Sequence, residues 1–202
     1  AALPEASCDE VFQRVRQELR SFDGIRPGSE PAGFVGELRP YQKLGLGWFH
    51  FLQTFSFGGC LADDMGLGKT VQVLALLQER AGPNRTGDSR RASMVVAPRS
   101  LIFNWMREAE RFAPSLRLMD HTGLDRAFHP GTWDEHHLVL TTYGTLKRDI
   151  EKLKDYEFDY VILDEAQAIK NATTQTAKAV RLLRGRHRLA LSGTPIENHL
   201  GE

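Results

Sequence analysis

The stretch that decides the fold is Asp63-Asp64-Met65-Gly66-Leu67-Gly68-Lys69-Thr70, between a short apolar segment, residues 58–62, and a strongly helical one, residues 71–78. A strand, a glycine loop and a helix in this order are the context of a phosphate-binding loop. The glycines let backbone N–H groups face polyphosphate oxygens, and the helix N-terminus adds a positive field. Lys69 is then expected near the β- and γ-phosphates, and the Thr70 hydroxyl as a ligand of Mg²⁺. The stretch predicts a nucleoside triphosphate site.

One position departs from the usual pattern. G-x-x-x-x-G-K-[ST] has glycine where this chain has Asp63. A Gly-Lys-Thr triplet by itself would leave the interpretation open, so a second motif is needed.

That second motif is an acid pair at the end of an apolar segment. Residues 160–163, Tyr-Val-Ile-Leu, indicate a buried parallel strand, and Asp164 and Glu165 follow it directly. Open α/β sheets bind ligands at this carboxyl edge. Asp164 suits the magnesium-side carboxylate of an ATPase, and Glu165 suits the base that polarises the attacking water. The alternative is that the two acids cap the next helix, which is the weaker explanation in a chain that also has a phosphate loop.

Six segments occur in a fixed order along about four-fifths of the chain: Leu38-Arg39-Pro40-Tyr41-Gln42, the phosphate loop at 63–70, Val96-Ala97-Pro98-Arg99-Ser100-Leu101 with Asn104-Trp105, Thr141-Thr142-Tyr143-Gly144-Thr145-Leu146, Asp164-Glu165-Ala166-Gln167, and Leu191-Ser192-Gly193-Thr194-Pro195-Ile196-Glu197-Asn198. With this order and spacing the chain resembles the first lobe of the Swi/Snf family of helicase-like DNA-translocating ATPases, in superfamily two. Bacterial and archaeal members are the most similar. The family's form of the phosphate loop has an acid at the position of Asp63.

The resemblance implies a RecA-like P-loop domain of the α/β class, with a mostly parallel sheet flanked by helices. Enzymes of this family hydrolyse ATP between two such lobes, and the second lobe carries an arginine finger. No segment after Pro195 can supply that finger, whose absence can cost roughly 10³–10⁵ in turnover. We therefore expect this lobe alone to bind ATP and Mg²⁺ weakly and to hydrolyse ATP barely. Its expected partners are the second RecA-like lobe and double-stranded DNA, the latter bound weakly by this lobe alone.

The resemblance also assigns roles to residues outside the phosphate loop. Gln42 would read the adenine, although an exposed glutamine often has no role. The nucleic-acid contacts would be Arg99, Ser100, Thr142 and Tyr143, which follow strands and suit DNA phosphates; Ser100 could equally be a helix N-cap. The residues that couple nucleotide state to lobe movement would be Gln167, Ser192, Gly193 and Thr194.

Composition is that of an ordinary globular domain. The 202 residues contain 26 basic and 26 acidic side chains, so the net charge is zero and does not favour DNA binding by this lobe alone. Two cysteines make no disulfide framework. We expect no signal peptide and no membrane span, hence a cytoplasmic protein, associated with the nucleoid if it is bacterial.

The pattern of apolar and polar residues predicts that the chain has two parts. Residues 1–36 would be a helix, about residues 8–22, and a linker; residues 37–202 would be the lobe. Within the lobe we expect helices at about 40–55, 71–78, 100–113, 144–153 and 174–184, strands at 58–62, 93–97, 116–120, 138–142, 160–163 and 188–192, and a mobile loop at 81–91.

Several residues invite a functional interpretation that a simpler one outweighs. His129, His136 and His137 have no matched metal ligands and indicate a solvated loop. Trp48 and Trp105 lie at helical spacing with apolar residues and indicate packing. The loop arginines at 85, 90 and 91 could touch a phosphate backbone, but solvent exposure is the better explanation.

Two other functions stay open. The chain could be a lobe of a strand-separating superfamily-two helicase, against which the acid at Asp63 argues. It could also be a nucleotide-gated binding module without motor activity.

Overall fold

The computed structural model describes residues 22–82, 91–123 and 130–193, together with five residues between 13 and 20. The predicted first helix, about residues 8–22, lies largely outside the described residues, although those five are helical. The expected mobile loop lies outside them for its central part, residues 83–90, and so does Thr194.

The described residues contain six strands, which form one sheet. They are β1 Gly59–Leu61, β2 Ser93–Ala97, β3 Leu118–Asp120, β4 Leu138–Thr142, β5 Glu157–Leu163 and β6 Arg184–Leu191. The order across the sheet is β1-β6-β5-β2-β4-β3, and every pairing is parallel. The predicted parallel α/β sheet is therefore confirmed.

Helices cover both faces of this sheet, as parallel strands joined by crossovers require. They are α1 Pro40–Thr54, α2 Lys69–Arg80, α3 Arg99–Phe112, α4 Pro130–Asp134, α5 Tyr143–Leu153 and α6 Gln175–Leu182. One core cluster contains buried side chains of α1, α2 and α3, including Trp105. The other contains side chains of α4, α5 and α6, including Trp133. Among the described residues, no helix has both the length and the apolar character needed to cross a membrane.

The largest difference from the sequence prediction is at the start of β6, which begins at Arg184 rather than at about 188. Arg184-Gly185-Arg186-His187 is too polar to indicate a strand, yet it pairs with the start of β5. Arg186 forms an ion pair with Glu157, and a Cβ at Gly185 would lie 2.6 Å from the Val161 side chain. Cross-strand contacts therefore extend the strand beyond its apolar part. Helix α4 and a 3₁₀ turn, Ala166–Ile169, were not predicted either.

The predicted linker is packed onto the lobe. The backbone N–H of Gly28 donates to the Lys43 carbonyl at 2.8 Å, and the Glu30 carboxylate pairs with the Lys43 ammonium at 3.0 Å. A Cβ at Gly47 would lie 1.8 Å from the Arg26 carbonyl oxygen. Glycine is therefore required on α1 where the linker backbone crosses it.

Candidate nucleotide site

Three adjacent strands bring the main predicted motifs together. The phosphate loop follows β1, Ser192 and Gly193 follow β6, and the acid pair follows β5, the strand on the other side of β6. The backbone N–H of Ser192 donates to the Leu61 carbonyl at 3.1 Å, which joins the ends of β6 and β1. The motifs therefore share the carboxyl edge of the sheet, where open α/β folds bind ligands.

The phosphate loop is closed on its own lysine. Lys69 Nζ donates to the carbonyl oxygens of Asp63, at 2.6 Å, and Asp64, at 3.1 Å. Gly66 and Gly68 have φ values of 85° and 75°, which side-chain-bearing residues rarely adopt. The two glycines thus allow the turn that places the Lys69 ammonium inside the loop. Thr70 follows Lys69 as the second residue of α2.

The unexpected acid at Asp63 has a structural partner. Gln72 Nε2 donates to Asp63 Oδ2 at 2.9 Å, from a side chain that is fully buried. The Gln72 side chain fits against α1 only because residue 45 is glycine, since a Cβ there would lie 1.9 Å from Gln72 Oε1. Sequence reasoning missed Gln72 and the reason for glycine at residue 45, which the resemblance gave only as part of the glutamine motif. The available signal was a glutamine inside the apolar run of α2.

Gln42 contacts the phosphate loop from α1. Its Oε1 accepts a hydrogen bond from the Arg39 backbone N–H at 2.9 Å, and its Nε2 donates to the Leu67 carbonyl at 3.2 Å. The Tyr41 hydroxyl donates to the same carbonyl at 2.9 Å. The amide is therefore buried beside the loop, and its predicted role in adenine recognition stays a prediction.

Asp164 is held on both carboxylate oxygens. Trp105 Nε1 donates to Oδ2 at 2.8 Å and the Glu165 backbone N–H donates to Oδ1 at 2.9 Å. Burial, which leaves the residue 7% exposed, raises the pKa of Asp164. The two hydrogen bonds and the positive charge of Lys69 act in the opposite direction, while the charge of Glu165 adds to the rise. The positive charge of Lys69 therefore acts on the Asp164 carboxylate.

Glu165 is linked to the predicted coupling residues. Its backbone is left-handed, with φ 50°, and its Oε2 accepts a hydrogen bond from Gln167 Nε2. The Ser192 hydroxyl donates to Gln167 Oε1 at 3.4 Å. A chain of polar contacts therefore runs from the predicted base to the end of β6. Glu165 precedes the 3₁₀ turn without capping it through its side chain, which disfavours the capping alternative.

Gly193 brings the same strand end against the phosphate loop. A Cβ there would lie 2.7 Å from Met65 Cγ and 3.7 Å from Lys69 Nζ. Sequence reasoning did not foresee a direct contact between these two motifs.

The four predicted nucleic-acid residues fall into two groups. Arg99 and Ser100 are exposed in the first turn of α3, whose N-cap is Pro98, so the alternative that Ser100 is the N-cap is wrong. Thr142 is the N-cap of α5 and accepts from the Thr145 backbone N–H at 3.1 Å. The Tyr143 hydroxyl points inward and donates to the Asp164 carbonyl at 2.8 Å, and burial raises the pKa of Tyr143.

The donor set fits magnesium. Asp164 and Thr70 offer hard oxygen ligands, and Mg²⁺ bound with a nucleotide uses one or two carboxylates together with phosphate oxygens. Within the described residues there is no group of three or more His, Cys, Asp or Glu that could hold a metal by itself. His136 contacts the Thr132 carbonyl and His137 accepts from the Arg117 N–H.

Trp48, Trp105 and Arg91 all contact other parts of the lobe. Trp105 is fully buried and Trp48 packs against the core, so the packing interpretation is confirmed for both. Arg91 contacts the Glu157 carbonyl and lies over the Tyr156 ring, at 5.8 Å from its centroid.

Comparison with known proteins gives the family. The family model for the SNF2-related domain matches residues 41–202. YwqA of Bacillus subtilis is 44% identical over 192 residues, covering 92% of this chain and 20% of the relative. TATA-binding protein-associated factor mot1 of Schizosaccharomyces pombe is 35% identical over 214 residues, covering 99% of this chain and 11% of the relative.

Solved structures agree with this assignment. The Sulfolobus solfataricus SWI2/SNF2 ATPase core in complex with dsDNA superposes with a TM-score of 0.74 at 40% identity, covering 89% of this chain and 36% of that one. The same core domain without DNA gives a TM-score of 0.70 at 38% identity. The predicted RecA-like fold is thereby confirmed, and the chain spans a fifth or less of these curated relatives. The chain belongs to the SNF2-related domain family.

Proposed function

We propose that this chain is the nucleotide-binding lobe of an ATP-dependent double-stranded-DNA translocase of the Swi/Snf type. The observation that carries the proposal is that the phosphate loop with Lys69 follows β1 and the Asp164–Glu165 pair follows β5, the two strands that flank β6. Phosphoryl transfer needs positioning and charge neutralisation more than covalent chemistry. A lysine, a hydroxyl and two carboxylates at one sheet edge supply these.

Each residue has a distinct role in this proposal. Lys69 would exchange its loop carbonyls for phosphate oxygens and neutralise their charge. Asp164 and Thr70 would hold magnesium, which would supply further charge neutralisation. Glu165 accepts a proton from the attacking water. In the proposed division of the chain, residues 1–36 are an N-terminal extension and residues 37–202 belong to the lobe. A second RecA-like lobe completes the site, and Gln167, Ser192, Gly193 and Thr194 pass the nucleotide state to it.

Double-stranded DNA is the proposed track, with weak binding by this lobe alone. The Sulfolobus relative was solved with dsDNA, and the name of YwqA is that of an ATP-dependent helicase/translocase. Exposed Arg99 and Ser100 would contact phosphates without reading sequence. The strand-separating alternative is less favoured because an acid at the position of Asp63 is typical of translocases. In this fold the acid is held by a hydrogen bond from Gln72.

Two substitutions separate binding from hydrolysis. Lys69→Ala removes a charge-assisted contact worth about 3 kcal/mol, so ATP affinity should fall about 100-fold. Glu165→Gln removes only the base, so ATP affinity should stay while turnover falls about 10²–10⁴-fold. Affinity is measured by calorimetry on this chain, and DNA-stimulated turnover on the full-length protein that contains it.

Lys154→Ala is the control for Lys69→Ala, because Lys154 is the C-cap of α5 and its ammonium pairs with Glu151 rather than with the phosphate loop. Normal turnover in Glu165→Gln would refute the assignment of the base. Duplex-dependent ATPase activity without strand separation would decide against the helicase alternative. ATP binding without any DNA-stimulated hydrolysis would favour a nucleotide-gated module.

A further inference from the structure

Asp164 receives side-chain hydrogen bonds from two different helices. Trp105, in the middle of α3, donates from Nε1 to its carboxylate at 2.8 Å. Tyr143, the first residue of α5, donates from its hydroxyl to the Asp164 backbone carbonyl at 2.8 Å. The side chain and the backbone of the magnesium-side acid are therefore fixed from outside its own strand.

Burial makes both hydrogen bonds consequential. The Trp105 side chain is fully buried, so its N–H needs an acceptor inside the protein, and Asp164 Oδ2 provides it. Oδ1 is fixed by the Glu165 N–H, so the carboxylate has one orientation. When a side chain that hydrogen-bonds a metal ligand is removed, the ligand loses its orientation, and metal affinity typically falls about 10–100-fold.

The two helices also begin at the expected DNA contacts. Helix α3 starts with Arg99 and Ser100, and α5 is capped by Thr142. Helix α3 follows β2, which lies directly beside β5, and helix α5 follows β4 of the same sheet. A shift of either helix would therefore reach Asp164 through a single hydrogen bond.

We infer that Trp105 and Tyr143 are positioning residues of the magnesium–nucleotide site: they orient Asp164 and connect it to the two helices that carry the expected DNA contacts. This inference rests on the proposed function, because it needs Asp164 to serve the metal. It assigns Trp105 a second task beyond core packing, and it assigns the Tyr143 hydroxyl a task other than contact with DNA.

The test measures how much Mg²⁺ strengthens nucleotide binding to this 202-residue chain. The affinity for the non-hydrolysable analogue AMP-PNP is determined by calorimetry in Mg²⁺ and in EDTA, and the ratio of the two constants is compared among variants. Trp105→Phe keeps an aromatic ring and removes the N–H, so the ratio should fall about tenfold. Tyr143→Phe removes one oxygen and should lower the ratio less, while the affinity in EDTA stays the same in both.

Matched controls come from the core cluster that contains side chains of α4, α5 and α6. Trp133→Phe makes the same change at a second buried tryptophan, and Tyr156→Phe removes a hydroxyl that donates to Asp134 rather than to the site. Both should leave the ratio unchanged even if they lower the melting temperature. A purely structural role for Trp105 would instead lower the affinity equally in Mg²⁺ and in EDTA.

The outcomes are distinguishable. A wild-type ratio near one would refute the proposed magnesium site, and the inference would fall with it. A clear wild-type ratio that both Trp105→Phe and Tyr143→Phe preserve would overturn the inference alone. Because Tyr143→Phe removes a single atom, this second variant keeps the test decisive if Trp105→Phe does not fold.

Discussion

The phosphate loop and the acid pair face one site but are held in different ways. Lys69 is bound to carbonyls of its own loop, and Met65 at the tip of the loop is 76% exposed. Asp164, in contrast, is 7% exposed and receives donors from α3 and α5. A polyphosphate must replace the bonds of Lys69, whereas the donors on Asp164 can stay when the site fills. The acid side is therefore pre-organised by tertiary structure, and the loop side is the part that must rearrange.

The hydrogen bond from Gln72 to Asp63 anchors the start of the phosphate loop, and breaking it should have a larger effect than the changes that follow. Asp63→Ala leaves the buried Gln72 Nε2 without its acceptor, which costs about 1–3 kcal/mol of unfolding free energy. Urea denaturation measures this loss. Asp63→Asn retains an acceptor oxygen and should cost less, and Asp64→Ala, at an exposed neighbour, should change little. Equal stability of Asp63→Ala and wild type would show that the loop does not depend on this anchor.

The contact between Gly193 and Met65 tests whether the end of β6 limits the movement of the loop. A Cβ at residue 193 would lie 2.7 Å from Met65 Cγ, so Gly193→Ala should displace the loop and lower AMP-PNP affinity. The exposed methionine can partly yield, so we expect about 1 kcal/mol, or about fivefold. Calorimetry on this chain gives the value.

A second substitution identifies the cause. Met65→Ala, combined with Gly193→Ala, should restore most of the affinity, because the clash is removed. Gly123→Ala is the matched control, since no atom of the described part of the chain lies within 4 Å of a Cβ at that position. Failure of the double variant to recover affinity would place the effect in the β6 backbone instead.

The smallest expected effect is a pH dependence of the unfolding free energy through a contact between α1 and α2. His50 on α1 contacts Glu79 on α2 at 2.7 Å, and this hydrogen bond raises the pKa of His50 above its ordinary value of 6.5, against the effect of burial. A raised folded-state pKa stabilises the fold below pH 6.5, and this contribution disappears as pH rises through the folded pKa.

Both side chains are more than a third exposed, so solvent screening keeps the contribution well below about 1 kcal/mol. Urea denaturation of wild type and His50→Gln between pH 5.5 and 8 measures it. The wild type should lose its small advantage as the pH rises, and an advantage that grows with pH would contradict the assigned direction.

The sequence was most informative where local chemistry and chain order suffice. The phosphate loop and the Asp164–Glu165 pair each come after an apolar strand, and parallel strands end at one edge of a sheet, so chain order alone indicates where both motifs lie. Pro40 marks the start of α1 because its fixed φ suits a first helical turn, and the observed helix begins there. The boundaries of β2 and β4 were also predicted, since both strands are short, apolar and buried.

Contacts between distant residues were not predictable from local pattern. The polar start of β6 becomes a strand only because β5 lies beside it. Gln72 is an ordinary helical glutamine until Asp63 and Gly45 are placed against it. Trp105 was predicted as a core residue, which is correct, but its bond to Asp164 joins residues 59 positions apart.

The sequence by itself determined the motif set, the alternation of the six strands with the five longer helices, and the family to which the chain belongs, because each depends on residue type and spacing along the chain. Only the tertiary structure decided which donors fix Asp164, what holds Asp63, and that the Tyr143 hydroxyl faces inward. These features arise when a buried polar group takes whichever partner the packed core brings within hydrogen-bond distance, and that partner is not encoded by neighbouring residues.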